Sequence, residues 1–379
     1  MRHSRWFSAG ASLLALVFVS ACGAGGAPTT ATAPTTAPPT APATKPAAAA
    51  SPAVATAASP SAATNPAASP AASPAASPVA SPLASPAASP AASPAAAAVV
   101  GGPKPTVKMG SANFPEQVIL GELYAQILEA NGYTVERHLN LGSREIVEPA
   151  LESGQIDMYP EYLATAEAFL AKAAGKTSAA TADPAATQKA LQDVMTPKNV
   201  TVLDFAQAVD TNGFVVTKAT ADKYHLAKLS DLAPVAKDLV LGGAPECPDR
   251  PFCAIGLKNT YGAGFKDFKA LDTAGPITVA ALDSGDVDVG ELFTTDPNIA
   301  LKGFVLLADD KHLQLADNVA PVVRNDVLNR GADLKALANS VSAKITTDDL
   351  TDMNKQVGLD HKDAKDVAAA YLKGKSLVK

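Results

Sequence analysis

The chain has 379 residues, of which 47% are hydrophobic and 18% are charged, and its formal net charge is -6 at neutral pH. Its 31 lysines and arginines are scattered along the sequence and are outnumbered by 37 acidic residues, so no basic surface is predicted. Composition therefore argues against nucleic acid as a partner.

The first 21 residues are typical of a secretory signal. Arg2 and Arg5 precede an apolar run over about residues 9–19, which is too short to span a bilayer comfortably. The small residues directly before Cys22 resemble the lipobox of bacterial lipoproteins. We therefore expect Cys22 to be lipidated and to anchor an extracytoplasmic protein to the bacterial cell membrane. The alternative is an ordinary cleaved signal with an incidental cysteine.

Residues 22–105 are predicted to form a disordered stalk. They consist mainly of alanine, proline, serine and threonine, with ASPAASPAASP as a repeated pattern. A segment with so few large apolar side chains cannot bury enough surface to offset the entropy lost on ordering. Its regular prolines favour extended polyproline II, which rises about 3.1 Å per residue. Its serine, threonine and proline content would also suit O-glycosylation.

The folded part begins with alternating strands and helices. Strands are predicted at residues 106–110 and 133–139, and helices at about 115–131 and 143–153. Pro115 fits the first helical position, and apolar residues recur at helical spacing until Asn131-Gly132. This alternation predicts a mostly parallel sheet with helices on its faces.

Two stretches of the chain echo each other. Residues 150–158 run into Tyr159-Pro-Glu-Tyr162, and residues 281–289 run into Phe293-Thr-Thr-Asp296. Each reads as a helix end, a glycine in the left-handed conformation and a short strand. Because residues beyond the carboxyl end of such a strand lie in a ligand crevice, the two tetrapeptides are predicted to face one cleft. Chance similarity in an alanine-rich chain is the alternative.

Two lobes are predicted from the remaining pattern. The apolar strand interrupted at Asn212-Gly213 indicates a passage to a second lobe, and helical periodicity dominates from about residue 326 to 377. We predict lobe 1 at 106–210 plus 319–379 and lobe 2 at 211–318, with a hinge between them.

The other two cysteines, Cys247 and Cys253, lie close together in the sequence. Outside the cytoplasm such a pair is most simply a disulfide that closes a small loop. A metal site is the alternative, but no histidine lies near it, and no metal is predicted.

Catalytic motifs do not stand out. The chain has no HExxH, GxSxG or Walker pattern, and carboxylate pairs such as Glu145 with Glu148 read as solvated surface charges. We expect no catalytic residues, no cofactor and no enzymatic activity; a hydrolase using carboxylates near the cleft is the alternative.

Aromatic residues cluster at the predicted crevice. Tyr159 and Tyr162 belong to the first echo, Phe214 follows the crossing, and Phe293 follows the second echo. Taken singly, each ring could equally pack in a core. Converging from two lobes, they could enclose a methylated ammonium, because ring faces attract cations.

Five segments resemble the substrate-binding proteins of osmoprotectant ABC importers, which take up glycine betaine, choline and relatives: residues 110–117, 120–124, 140–145, 150–162 and 293–296. The resemblance covers nearly everything from about Val107 onward. It implies an α/β, type II periplasmic-binding-protein fold, whose two lobes close through a hinge on a quaternary amine in an aromatic cage. It also implies an arginine for the carboxylate of betaine, which Arg250 matches in spacing.

The resemblance implies the remaining site roles. Polar contacts would come from the start of the first helix and from the second lobe: Asn113, Phe114, Gln117, Thr294, Thr295 and Asp296. The apolar walls would be Tyr159, Tyr162, Phe214 and Phe293. Phe214 replaces a cage tyrosine of the family, and Asp317 lies near a position where another aromatic is expected. A phenylalanine keeps the ring face but loses the hydroxyl, while Asp317 could balance a cation.

We therefore expect a monomeric, non-catalytic solute-binding component of an ABC importer. It would bind a quaternary amine and deliver it to a membrane permease that is driven by a separate ATPase. Two alternatives remain open: a binding protein for another small polar solute, and an extracytoplasmic sensor or scaffold of the same fold.

Overall fold

The computed structural model describes residues 104–379. The predicted signal, the lipidation of Cys22 and nearly all of the predicted stalk lie outside these residues. Within the described part, no helix combines the length and the apolar character needed to cross a membrane.

The secondary structure follows the predicted alternation. The strands are β1 (Thr106–Gly110), β2 (Thr134–His138), β3 (Met158–Tyr162), β4 (Val200–Val202), β5 (Asn212–Val216), β6 (Val240–Gly243), β7 (Asp267–Ala270), β8 (Val289–Phe293), β9 (Val305–Leu306) and β10 (Val319–Arg324). The α-helices are α1 (Pro115–Ala130), α2 (Arg144–Glu152), α3 (Leu163–Ala173), α4 (Pro184–Met195), α5 (Lys218–Tyr224), α6 (Ala254–Tyr261), α7 (Pro276–Ser284), α8 (Asn298–Leu301), α9 (Asn325–Leu328), α10 (Leu334–Ser342), α11 (Thr347–Gly358) and α12 (Ala364–Gly374).

The strands form two five-stranded sheets of the same topology, in the orders β2-β1-β3-β10-β4 and β7-β6-β8-β5-β9. Four strands of each sheet run in the same direction, as predicted, and the fifth makes the sheet mixed: β10 runs antiparallel to β3 and β4, and β5 runs antiparallel to β8 and β9. The reason lies in the crossings: β10 starts opposite the end of β3, and β5 starts opposite the end of β8. A chain that enters a sheet from the edge where the neighbouring strand ends must run the other way.

Helix α1 organises the core of the first lobe. Pro115 occupies its first turn as predicted, and Ile119, Leu120 and Leu123 are fully buried at helical spacing. The C-terminal helices α10, α11 and α12 all contact α1. Their packing fixes the position of the first turn of α1, which follows the carboxyl end of β1.

The chain crosses between the two sheets twice, after β4 and before β10. The two crossing segments pair at a bridge between Val209 and Asn318. The backbone N–H of Asp210 donates to the carbonyl of Asp317 at 3.3 Å. The predicted lobe boundaries, after residues 210 and 318, fall in these segments and stay a prediction.

The two echoing stretches occupy matching places, because β3 and β8 are each the central strand of their sheet. Gly154 and Gly285 both have φ 75°, so the predicted left-handed helix ends are confirmed. For the first of the two echoing stretches, the predicted position of the strand is wrong. Tyr159-Pro-Glu-Tyr162 does not follow β3 but forms most of it, since these residues pair along their length with β10.

Candidate functional site

A cleft lies between the two lobes at the carboxyl ends of β3 and β8. It encloses about 920 Å³ of empty space, part of which is open to solvent, and both lobes line it. This position follows from the topology, because the two central strands end toward each other across the crossings. Because residues of both lobes line this space, a small molecule bound in it would touch both lobes.

Three aromatic rings form one wall of the cleft. Phe114 stacks near Tyr162 with ring centroids 6.2 Å apart and contacts Phe293 at 4.8 Å. Phe114 precedes α1, whereas Phe293 ends β8, so this contact joins the two lobes. Rings this close leave no room for an ammonium group between them. They offer a continuous face rather than a closed cage.

Phe214 does not line the cleft, which corrects the prediction. Its ring is 1% exposed and packs in the core of the second lobe with Val216 and Leu241. The residue of β5 at the cleft is Asn212, two positions earlier on the same face of the strand. The strand runs away from the cleft, so its later residues enter the core. Phe252, which the sequence analysis missed, also lines the cleft.

Tyr159 lines the cleft, but its ring is 1% exposed. Its hydroxyl lies 2.8 Å from Glu148 Oε2 and 2.9 Å from Glu161 Oε1, so its single proton is shared between these two acceptors. Burial, followed by these neighbouring carboxylates, raises the pKa of Tyr159 well above its usual value. Tyr159 therefore holds polar groups of the cleft floor in place as well as forming part of the wall.

An ion pair on the cleft floor was missed by the sequence analysis. Arg144 donates from Nε and Nη2 to the two carboxylate oxygens of Glu161, at 2.6 and 2.8 Å. Arg144 opens α2, and Glu161 lies between the two tyrosines of β3. Both residues stand within segments that resemble the importer family, which was the available signal. In this bidentate ion pair the positive charge of Arg144 and the negative charge of Glu161 neutralise each other.

Arg250 reaches the cleft from the second lobe, as predicted, but it has a partner from the first. Its Nη2 donates to Glu145 Oε2 at 2.9 Å, and its guanidinium lies 5.1 Å from the centroid of the Phe169 ring. Burial lowers the pKa of Arg250, and the nearby charge of Arg144 adds to this effect. Arg250 thus bridges the lobes in this arrangement.

Two buried carboxyl groups face the cleft, one at each side. Asp317 is 2% exposed, and its Oδ1 accepts from Thr165 N at 2.9 Å. Glu291 is 6% exposed, and its Oε2 accepts from Ala244 N at 3.2 Å. Burial raises the pKa of each carboxyl to about 7. Asp317 was predicted near the site, whereas Glu291, on β8, was not.

Asn113 and Gln117 lie at the cleft where they were predicted, beside the start of α1. Gln117 Oε1 accepts from the backbone N–H of Ala112 at 3.2 Å, which ties this side chain to the end of the first strand. Both amides can offer polar groups to a ligand.

The polar residues after β8 are turned away from the cleft, which corrects a second prediction. Thr294 Oγ1 donates to Asp210 at 3.0 Å, and Asp296 accepts from the backbone of Asn298 at 2.7 Å. Thr295 and Asp296 line a second cavity, of about 1290 Å³, beyond the contact between Phe114 and Phe293. These side chains satisfy internal donors and acceptors at the turn and are not presented to the first cleft.

A buried carboxyl group links the two lobes. Glu116 accepts from Tyr162 Oη and Thr295 Oγ1, both at 2.7 Å, and from Asn354 Nδ2 at 2.6 Å. Burial raises the pKa of Glu116 and that of the neighbouring Asp210, and in Asp210 the charge of Glu116 adds to the effect. Glu116 lies within residues 110–117, one of the segments that resemble the importer family, and this was the available signal for it.

The structure joins Cys247 and Cys253 by a disulfide with an S–S distance of 2.04 Å. The bond closes the loop that carries Arg250 at the edge of the cleft. Glu291 lies near both sulfurs, but a disulfide offers no thiolates to a metal ion.

Comparison with known proteins gives a consistent family. A family model described as the substrate binding domain of ABC-type glycine betaine transport systems matches residues 105–374. The chain is 28% identical over 282 residues to the glycine betaine-binding protein YehZ of Escherichia coli, covering 72% of this chain and 92% of that protein. It is 27% identical over 281 residues to a glycine-betaine-binding protein of Pseudomonas aeruginosa, covering 71% and 87%.

Solved structures agree. A crystal structure of a glycine betaine/carnitine/choline ABC transporter protein is 28% identical, with a TM-score of 0.57, and the match covers 72% of this chain and 99% of that one. Lactococcal OpuAC, in its closed form with glycine betaine, is 18% identical with a TM-score of 0.53, covering 72% and 97%. The second similarity concerns the fold alone.

Proposed function

The chain belongs to the family of substrate-binding domains of ABC-type glycine betaine transport systems, and from this premise we propose that it binds a quaternary amine, such as glycine betaine or choline, for an ABC importer. The observation that carries the proposal is the cleft, where the rings of Phe114, Tyr162 and Phe293 and the carboxyls of Asp317 and Glu291 line one space. Ring faces and carboxylates together suit a methylated cation.

The wall rings supply most of the attraction in this proposal. A cation over a ring face gains roughly 0.5–2 kcal/mol, more when water is excluded. The side chains of Asn113, Gln117 and Asn212 offer polar contacts on the same cleft. The family is one of transport components, and we propose that the chain performs no catalysis.

Ligand binding is coupled to closure of the lobes. Contacts that cross the cleft include Phe114 with Phe293, Arg250 with Glu145 and Glu116 with Thr295. A ligand that touches both lobes stabilises the closed form by its differential affinity for that form. The hinge follows the proposed division into lobe 1, at 106–210 plus 319–379, and lobe 2, at 211–318.

Delivery to the membrane completes the proposed role. The closed protein, as a monomer, docks on a permease whose energy comes from a separate ATPase. A lipidated Cys22 and an extended stalk at residues 22–105 keep the binding domain near the membrane surface.

Calorimetric titration of the purified full chain tests the proposal. Glycine betaine, choline and carnitine are titrated in turn, with an uncharged sugar as the control. We expect at least one quaternary amine to bind more tightly than about 1 mM and the sugar not to bind. Absence of binding by all three amines would refute the proposed function.

A further inference from the structure

Two buried carboxyl groups lie side by side where the lobes meet. On the premise of the proposed function, in which a ligand closes the lobes, we propose that Glu116 and Asp210 form a site for one proton that is taken up on closure. The protein then binds two species together, the solute in the cleft and a proton at the junction of the lobes. Ligand affinity depends on pH as a result.

Glu116 and Asp210 are held near each other by a single residue of the second lobe. Thr295 donates from its hydroxyl to Glu116 Oε2 at 2.7 Å and from its backbone N–H to Asp210 Oδ1 at 3.1 Å. Glu116 lies in the first turn of α1, Asp210 lies in the crossing before β5, and Thr295 follows β8. Two carboxyl groups that share one donor residue repel each other when both are charged.

Burial leaves this repulsion uncompensated. Glu116 is 3% exposed and Asp210 is 4% exposed, and within residues 104–379 neither forms an ion pair. The donors to Glu116 are all neutral: Tyr162, Thr295 and Asn354. Neutral donors can stabilise one carboxylate, but a second charge beside it is disfavoured where water is excluded. One member of the pair should therefore hold a proton in the closed form.

Asp210 is the member placed to hold it. Its Oδ1 accepts both of its hydrogen bonds, from Thr294 Oγ1 at 3.0 Å and from Thr295 N, and its Oδ2 accepts none from the described part of the chain. Both oxygens of Glu116, by contrast, already accept. Burial, followed by the charge of Glu116, raises the pKa of Asp210 well above its usual value. A proton on Asp210 Oδ2 removes the repulsion and leaves every hydrogen bond of the pair in place.

Other charged side chains surround the pair. Along the second cavity, which Glu116 lines, they are Asp283, Asp296, Lys302 and His361. Along the cleft, which Asp210 lines, they are Arg144, Glu161, Glu246, Arg250, Glu291 and Asp317. Arg144, Arg250 and Lys302 form ion pairs with other carboxylates, and His361 is exposed. A proton, rather than one of these cations, is therefore the species that balances the pair.

Opening of the lobes removes the need for the proton. Thr295 belongs to lobe 2 and Glu116 to lobe 1, so opening breaks the bond between them. Water then reaches the pair, and both carboxyls can ionise near their usual pKa of about 4. The closed form therefore binds more protons than the open form above about pH 4. Its advantage is complete below that pH and is lost as the pH rises through the raised pKa of the pair, and ligand affinity follows the same course.

Calorimetric titrations of the full chain measure this proton. Glycine betaine and choline are the probes, because the charges of both are constant between about pH 5 and 8. Titrations in buffers with different enthalpies of ionisation give the number of protons taken up for each ligand bound. With the probe that binds more tightly, we expect uptake of about 0.5–1 proton and an affinity that decreases by up to about tenfold for each unit of pH increase.

Two variants assign the proton to the pair. Asp210→Asn keeps the acceptor for Thr294 and Thr295 and resembles the protonated carboxyl, so at about pH 8 it should bind the probe at least as tightly as the native protein does. Glu116→Gln removes the repelling charge. The Oδ1 of Asn354 has no partner among residues 104–379, so this amide can turn to accept from the new donor. We expect proton uptake to decrease in both variants, by about 0.5 or more in Asp210→Asn.

Controls separate the pair from other carboxyls. Asp222→Asn, at an exposed carboxylate on α5, should leave both uptake and affinity unchanged. Asp317→Asn and Glu291→Gln remove the other two buried carboxyls of the cleft, and neither should abolish the uptake. Thermal unfolding of each variant establishes that it is folded.

The outcomes can be told apart. Ligand binding by the native protein without proton uptake would overturn this inference but leave the proposed function intact. Uptake that persists unchanged in Asp210→Asn or in Glu116→Gln would also overturn it, because the proton would then lie elsewhere. Failure of the native protein to bind any quaternary amine would refute the proposed function and this inference with it.

Discussion

Removing the Thr295 hydroxyl should weaken ligand binding without unfolding the protein. In Thr295→Val the side chain keeps its volume, but the hydrogen bond to Glu116 Oε2, 2.7 Å long, is lost. This bond joins the turn after β8 to the start of α1 and therefore forms only when the two lobes are together. Both residues are buried, at 1% and 3% exposure, so water would not replace the missing donor in the closed form.

The magnitude follows from the kind of bond. A buried hydrogen bond to a carboxyl group contributes about 1–3 kcal/mol, and its loss falls on the closed form alone. Because the ligand binds the closed form, its affinity should decrease by about 5- to 150-fold. The Tyr162 and Asn354 donors remain on Glu116, which keeps the first lobe intact.

Calorimetric titration with the tightest-binding quaternary amine measures this effect. Thr351→Val is the matched control, because the Thr351 hydroxyl donates to the Thr347 carbonyl within α11 and crosses no cleft. An affinity of Thr295→Val equal to that of the control would refute the reasoning, since the bond to Glu116 would then not contribute to closure.

The remaining predictions concern the wall, the pH dependence and the anchor. Phe293→Ala should weaken the binding of a cationic ligand by about 1–3 kcal/mol in calorimetry. Phe214→Ala should instead lower the free energy of unfolding by about 3–5 kcal/mol and reduce the affinity only through this instability. The reverse pattern would show that Phe214 belongs to the binding site. Burial raises the carboxyl pKa of Asp317, which lies beside Arg144 and Glu161, and that of Glu291, which lies beside Glu246 and Arg250, to about 7. The folded chain therefore binds more protons than the unfolded chain between about pH 4 and 7. The two carboxyls should therefore add their full contribution to the free energy of unfolding below about pH 4 and lose it as the pH rises through about 7, which ligand-free urea titrations measure by comparison with Asp317→Asn and Glu291→Gln. A contribution that grows over this pH range would contradict the assignment. Cys22→Ala should move the protein from the membrane fraction to the soluble fraction, and continued membrane association would argue against lipidation at that residue.

Features that depend on a residue's own backbone were predictable. Pro115 begins α1, and Gly154 and Gly285 adopt the left-handed conformation, because these preferences are local. The predicted fold class and family are confirmed by the match over residues 105–374 and by two sheets of one topology. A long segment with regular periodicity carries enough local information to identify its elements.

The predicted wall was only partly correct, and the reason is the direction of the strands. Tyr162 and Phe293 end their strands at the cleft, whereas Phe214 lies deeper on a strand that runs away from it. The direction of β5 is set by the crossing from the first lobe. The pattern of residues around Phe214 does not contain this information.

The sequence by itself determined the elements, the paired cysteines and the aromatic residues available to a cleft, because all of these depend on residues near one another in the chain. The tertiary structure alone decided which charged groups are partnered. Glu116 and Thr295 are 179 positions apart, and Arg250 and Glu145 are 105 apart. Such pairs depend on how the two lobes approach each other, which no stretch of neighbouring residues in the chain encodes.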